Sequence, residues 1–326
     1  MSVFIFAGII SFTLTFISGL ALIPVLKKIK AGQPILKYVK EHERKNGTPT
    51  MGGLFFILPL VLVFFIFGGA KARVATVAVA IGLFYMLVGF LDDFLKIKLK
   101  HNEGLKPYQK IIFQTAIAIL GGAFAYFNGL TTLFIPFVKK TADIGVWIIP
   151  VAAAVFIALT NSVNLTDGLD GLCGGVSACY LLVLFLLITL EKDFGFSYLK
   201  SEESDGLILL LFTTFFAVLG FLIFNVPKAK VFMGDTGSLG LGGILGAVSV
   251  FSGNTLFIPI VGLAFVWSSL SVIIQVAHFK RTKKRVFLMA PFHHHLQMKG
   301  LTETQVGFYY SLITGIIGLV AVIFYL

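Results

Sequence analysis

Five aspartates stand at the ends of long apolar runs: Asp92 and Asp93 in Leu-Asp-Asp-Phe, Asp167 and Asp170 between Asn161 and Gly171, and Asp235 between Val231 and Ser238. A carboxylate beside hydrocarbon is expensive, and its default meaning is function. Adjacent carboxylates such as Asp92 and Asp93 suit a divalent cation or a proton transfer, the alternative being a solvated helix end. Lys96 and Lys100, four and eight residues beyond Asp92, offer positive charge to a phosphate. Asn161, Asn164, Asp167 and Asp170 place an amide or carboxylate at every third position, roughly one face of a helical turn. Such a ridge offers oxygens to a hard cation and hydrogen bonds to a nucleobase or ribose, the alternative being a polar packing seam. Gly234-Asp235-Thr236-Gly237-Ser238 opens a helix, where free N–H groups and a carboxylate suit phosphate and Mg²⁺.

Several familiar motifs are absent. The Asn161 ridge lacks EF-hand spacing, and the Asp235 string lacks the Gly-Lys-Ser/Thr ending of a P-loop. Gly242 with Gly246 reads as a close-packing helix face, not a dinucleotide fingerprint. His293, His294 and His295 are consecutive, so they cannot all face one ion; one or two suit a phosphate or a metal-bound water. The turn-rich stretch from Lys45 to Gly53 brings Lys45, Thr48 and Thr50 to the entry of a span, where they could contact phosphate. Cys173 and Cys179 lie in or beside one apolar segment and read as small apolar residues.

The elements that must position these groups are membrane spans. The chain is 57% hydrophobic and only 13% charged, with mean hydropathy +0.96. A soluble domain carries about a quarter charged residues. Apolar segments near 3–26, 50–69, 74–91, 108–127, 146–161, 172–190, 207–224, 238–253, 256–278 and 305–325 predict about ten helices in one all-α polytopic membrane domain, 1–326. In this division Asp92 and Asp93 end the third span, where the helix dipole opposes them unless a cation compensates. Twenty of the 26 Lys and Arg residues fall on one set of loops or just inside a span beside it. That asymmetry makes this set cytoplasmic, puts both termini outside, and gathers all five aspartates on the cytoplasmic side. The net charge of +11 therefore reflects orientation in the bilayer, and no nucleic-acid partner is expected. On the outer side, 131–146 predicts a small β-hairpin, and an apolar surface there would support a homodimer.

Taken together, LDDF, NSVNLTDGLDG and VFMGDTGS resemble the polyprenyl-phosphate N-acetylhexosamine-1-phosphate transferases. KNGTPTMGG and PFHHH point within that superfamily to the branch with a muramoyl-pentapeptide donor. The motifs occur in family order over nearly the whole chain. The resemblance implies a bacterial cytoplasmic-membrane enzyme that moves phospho-MurNAc-pentapeptide from UDP-MurNAc-pentapeptide to undecaprenyl phosphate, with Mg²⁺. It implies Asp235 as metal ligand, Asp92 and Asp93 in catalysis, and Asp170, Asn225 and Phe232 around the uridine, the Phe232 ring stacking on uracil. Asn161, Asn164, Asp167 and Gly234 would line the same cleft, Lys45 would help hold the nucleotide, and His294 with His295 would lie near the diphosphate. Gln297 departs from the pattern, which has an acidic residue there in many members. The rivals are a transferase using a shorter UDP-hexosamine, a nucleotide or anion transporter, and a lipid-binding scaffold. A transporter would place ionisable residues deep within its spans.

Overall fold

In hydrocarbon every backbone N–H and C=O must be satisfied within its own segment, so long apolar runs become helices. The computed structural model, which describes residues 2–29, 47–99, 104–138, 140–193 and 197–325, bears this out. In chain order the helices are α1 (Ser2–Lys28), α2 (Gly53–Ile66), α3 (Arg73–Leu99), α4 (Pro107–Phe127), α5 (Ile148–Thr166), α6 (Leu172–Asp193) and α7 (Ser201–Asn225). They continue with α8 (Gly234–Phe251), α9 (Ile258–Val261), α10 (Leu263–Thr282), α11 (Phe292–Met298) and α12 (Glu303–Tyr325). Among the described residues, eight helical stretches are long and apolar enough to cross a membrane. The shorter apolar α2 and the glycine-rich α8 occupy the other two expected segments. The chain is an all-α polytopic membrane protein.

The glycine-rich α8 is the centre of the bundle, buried from Thr236 through Phe251 and packed by α2, α3 and α5. Small residues let its neighbours approach closely. A Cβ on Gly89 of α3 would lie 2.0 Å from the carbonyl oxygen of Asp235. Gly242 and Gly246 face Thr160 and Phe156 of α5, as a packing face requires. The expected hairpin forms from β1 (Thr132–Ile135) and β2 (Lys140–Asp143), paired antiparallel from Thr132↔Asp143 to Ile135↔Lys140. It is tied to the turn after α8 by Phe134 N–H donating to the Gly253 carbonyl at 2.9 Å.

Two expectations fail in detail. Asp92 and Asp93 do not end their helix, because α3 continues to Leu99 and its last turn carries Lys96 and Lys98. These lysines meet the negative end of the dipole, so the carboxylates sit inside the helix instead of opposing it. The span expected over 256–278 is broken: a 3-10 turn and the four-residue α9 end at Gly262, and α10 starts afresh at Leu263. A Cβ on Gly262 would lie 2.7 Å from the Ile258 carbonyl oxygen.

Candidate active site

Successive residues on a helix point about 100° apart, so Asp92 and Asp93 serve different neighbours. Asp93 turns into α8 and is fully buried. Its Oδ2 accepts from the Thr236 N–H at 2.9 Å and the Thr236 hydroxyl at 2.7 Å. Asp92 turns toward the segment before α4, where Oδ1 accepts from Leu105 N–H at 2.9 Å. Its Oδ2 pairs with the Lys96 ammonium at 2.6 Å.

Asp235 lies in the first turn of α8, where the helix dipole favours a negative charge. Asn164 of α5 donates to its Oδ1 at 2.8 Å and to the Ser238 hydroxyl at 2.8 Å. Lys110 of α4 binds its Oδ2 at 2.5 Å. Lys96 reaches the same oxygen at 3.5 Å and Asp93 at 3.9 Å. Asp92, Asp93 and Asp235 each present a carboxylate oxygen within 4.8 Å of the others, close enough to share one metal ion. Three helices, α3, α4 and α8, therefore build one cluster of three carboxylates and two ammoniums, and α5 adds the Asn164 amide.

Gly234, just before Asp235, has φ +70°, and a Cβ there would lie 2.4 Å from Thr50 Oγ1 and 2.6 Å from Asp93 Oδ2. Only glycine fits, so its part is to bring the α8 terminus onto α3. The segment before α2 joins here: Phe232 N–H donates to the Pro49 carbonyl at 2.8 Å, and Gly52 N–H donates to the Phe232 carbonyl at 2.9 Å. Thr48 lies half-buried at the edge of this pairing. Lys45 and Lys100 fall outside the described residues.

The third-residue ridge does not present one face. Asn161 donates to Gln114 of α4 at 2.7 Å, Asn164 faces α8, and Asp167 follows the last turn of α5. Asp170 is buried, and its Oδ2 accepts from Ala229 N–H at 3.0 Å. The helix ends at Thr166, so the later members of the repeat leave its face. Burial, followed by the charges of Asp235 and Asp93, pushes the Asp167 carboxyl well above the usual carboxylate range against an opposing Gly234 N–H. Asn225 bridges two loops: Gly171 N–H donates to its Oδ1 at 3.0 Å, and its Nδ2 donates to the Val231 carbonyl at 2.9 Å. With Asp170 it sets the course of the 226–231 turn that delivers the half-buried Phe232.

The three histidines separate. His293 is fully buried under the 167–171 turn, where a Cβ on Gly168 would lie 2.3 Å from its Nε2. Neither of its ring nitrogens has a hydrogen-bond partner among the described residues, and burial beside His294 holds the ring's pKa well below the usual value. In this structure the His293 ring packs beneath the Gly168 turn and is buried. His295 accepts from Leu288 N–H through Nδ1 at 3.1 Å and stacks on Phe292, so it is held to the 286–292 segment. His294 is half-exposed, lies against the same Gly168 turn, and pairs through Nδ1 with Gln297 Oε1 at 2.9 Å. The divergent Gln297 thus acts directly on His294.

Sequence reasoning omitted Lys110 and Thr236 from the site. Lys110 is the sole charged residue of α4, and a lone charge in an apolar span is the signal that could have found it. Thr236 carries no such signal, because its partner is 143 residues away.

Comparison with known proteins fits this geometry. The description "Glycosyl transferase family 4" matches residues 73–253, which hold all five aspartates. The phospho-N-acetylmuramoyl-pentapeptide-transferase signature 1 matches residues 45–57. The chain is 40% identical over 325 residues to the phospho-N-acetylmuramoyl-pentapeptide-transferase of Clostridioides difficile (strain 630), covering 98% of this chain and 96% of that one. It is 39% identical over 323 residues to the enzyme of the same description from Clostridium novyi (strain NT), covering 98% and 96%. The corresponding figures for Caldanaerobacter subterraneus subsp. tengcongensis are 38% over 311 residues, with 95% of each chain covered.

Proposed function

This chain belongs to the phospho-N-acetylmuramoyl-pentapeptide-transferases, and from that premise we propose that Asp92, Asp93, Asp235, Lys96 and Lys110 form the centre where its two substrates meet. The reaction is transfer of phospho-MurNAc-pentapeptide from UDP-MurNAc-pentapeptide to undecaprenyl phosphate, giving lipid I and UMP in peptidoglycan synthesis. The chain is a multi-pass membrane protein, and the basic-residue asymmetry supports a site facing the cytoplasm in the bacterial inner membrane. The observation that carries the reading is the meeting of three carboxylates and two ammoniums, from three helices, in one cluster.

An oxygen of the lipid phosphate attacks the phosphorus attached to the sugar, and the bond from that phosphorus to the bridging oxygen breaks as UMP leaves. Such phosphoryl transfer depends mainly on positioning and electrostatics. Hard carboxylate oxygens in a compact trio fit Mg²⁺, with Asp235 as principal ligand and Asp92 and Asp93 beside it. Mg²⁺ bound there would supply charge neutralisation to the diphosphate.

Lys96 and Lys110, ion-paired to the aspartates in this structure, are placed to turn their ammoniums to phosphate oxygens. Thr236 and Asn164 fix the directions of the Asp93 and Asp235 carboxylates, so little reorganisation accompanies the reaction. A lipid phosphate is already largely anionic at neutral pH, so no aspartate is required to act as a strong base. Asp170 and Asn225 shape the turn that offers Phe232 to the uracil face, and His294, against the Gly168 turn, is the histidine for the diphosphate. Thr48 borders the same entry, and Lys45 and Lys100 stay candidates for phosphate from the sequence alone.

Purified full-length chain given UDP-MurNAc-pentapeptide, undecaprenyl phosphate and Mg²⁺ is expected to release UMP and form lipid I. Turnover with UDP-N-acetylglucosamine and none with the muramoyl-pentapeptide donor would overturn the assignment.

A further inference from the structure

One turn further into the bundle than the carboxylate cluster, a second polar contact joins α4 to α5. Gln114 of α4 is fully buried and lies on the same face as Lys110, four residues on. Asn161 of α5 stands three residues before Asn164. Its Nδ2 donates to Gln114 Oε1 at 2.7 Å and to the Ile157 carbonyl at 2.8 Å. The Ile157 carbonyl can only accept, which fixes the orientation of the Asn161 amide and demands an acceptor from Gln114. Both hydrogens of that Nδ2 are then used within the bundle. From α3, the buried Tyr85 hydroxyl donates to the Gln114 main-chain carbonyl at 2.9 Å.

This contact does not serve stability well. Gln114 Nε2 is buried with no hydrogen-bond partner among the described residues. A buried donor left unpaired is unfavourable, and an apolar side chain of the same shape would avoid the penalty. What the amide does contribute is direction, since a hydrogen bond between helices fixes one register where apolar packing tolerates several.

The register matters because of what lies one turn away. Lys110 of α4 holds Asp235 Oδ2 at 2.5 Å, and Asn164 of α5 holds Asp235 Oδ1 at 2.8 Å. A slide of α4 along α5 would break the Gln114–Asn161 bond and this grip together. Lys110 carries its ammonium on a flexible stem, so the helix that bears it must be set from elsewhere.

We propose that Gln114 and Asn161 are a positioning pair that fixes α4 on α5 and so places the Lys110 ammonium at Asp235. Asn161 then acts through Gln114 and not on the nucleotide. The kinetic consequence rests on the transferase reading, whereas the consequence for cation binding needs no turnover.

The test uses variants of the purified full-length chain. Gln114→Met should lower kcat for UMP release on the order of tenfold to a hundredfold, as a misplacement of about 1 Å can do, with KM for both substrates unchanged. Its melting temperature should not fall, because the unpaired donor leaves with the amide. Asn161→Leu should lose kcat to the same extent, again without a change in donor KM. The exchange Gln114→Asn/Asn161→Gln, which keeps an amide pair of the same total length, should restore most of the turnover that Gln114→Asn alone loses. Lys110 competes with a cation for Asp235, so Mn²⁺ should bind more tightly in Gln114→Met and in Lys110→Ala, and no more tightly when the two are combined.

A raised donor KM in Asn161→Leu beside normal turnover in Gln114→Met would overturn the proposal, by giving Asn161 to the nucleotide. Additive effects of Gln114→Met and Lys110→Ala on Mn²⁺ binding would overturn it too, by separating Gln114 from Lys110. So would a lowered melting temperature in Gln114→Met, which would make the pair a plain packing contact. An unmodified chain that releases no UMP would refute the transferase reading alone, and the Mn²⁺ comparison would still decide the pair.

Discussion

The α3–α8 contact and the α10–α11 segment lie in the same bundle and are built on opposite physical terms. Along α3 and α8 glycines bring backbones together, every carboxylate has a partner, and almost nothing of α8 reaches the surface. From Leu263 to Met298 a helix starts afresh after a break, cations and apolar side chains lie exposed, and one glutamine fastens the turn. The first arrangement holds charges at fixed positions in a protected place, as phosphoryl transfer needs. The second presents an amphipathic surface whose cations stay exposed. Histidines divide along the same line, since His293 is sealed beneath the Gly168 turn while His295 serves the outer segment.

Substitutions should respect that division, with the largest effects in the inner region. Asp235→Asn keeps the shape but removes the charge that pairs with Lys110 and Lys96. Turnover should fall on the order of 10³-fold, read as UMP release, with the purified protein still monodisperse. Gly89→Val places a side chain against the Asp235 backbone, which cannot yield as a flexible side chain would. Thermal unfolding should show a loss of at least ~1–3 kcal/mol with activity lost alongside. Near-normal melting in that variant would mean the two helices are not held as closely as the structure has them.

Thr236→Val removes the hydroxyl donor to the buried Asp93 and keeps the backbone N–H of the same residue. A cost of about 1–3 kcal/mol is expected, and Thr236→Ser should restore most of it. The smallest effect belongs to His293. The folded state keeps this ring neutral with its pKa held well below the usual value, whereas the unfolded chain takes up a proton below about pH 6.5. Stability carried by the neutral ring is therefore full above that value and declines as pH falls, by at most about 1.4 kcal/mol per pH unit. His293→Asn should flatten the slope of melting temperature between pH 7.5 and 5.5; an unchanged slope would mean that His293 does not carry it.

Much of this organisation was legible in the sequence. Apolar length gave the helical passes, and the clustering of Lys and Arg put the aspartates at one end, where α3, α4, α5 and α8 do bring their polar groups together. The glycine-rich stretch at 238–253 is one of the two shortest of the expected spans. It is the central helix, since glycine there serves close packing. The Asn161–Asp170 repeat continued past the end of α5, so periodicity suggested one face where the structure has several. The break at Gly262 is not marked by hydropathy, as the apolar run itself continues across it. Thr236 was invisible because its role exists only once α3 and α8 are side by side.

The central claim is that the three carboxylates form one cation site shared by both substrates. Mn²⁺ binding to the purified full-length chain, followed by electron paramagnetic resonance, tests it without relying on turnover. One Mn²⁺ per chain, displaced by Mg²⁺ and lost in Asp235→Asn, is the expected result. Binding of equal strength and stoichiometry in Asp235→Asn would contradict it.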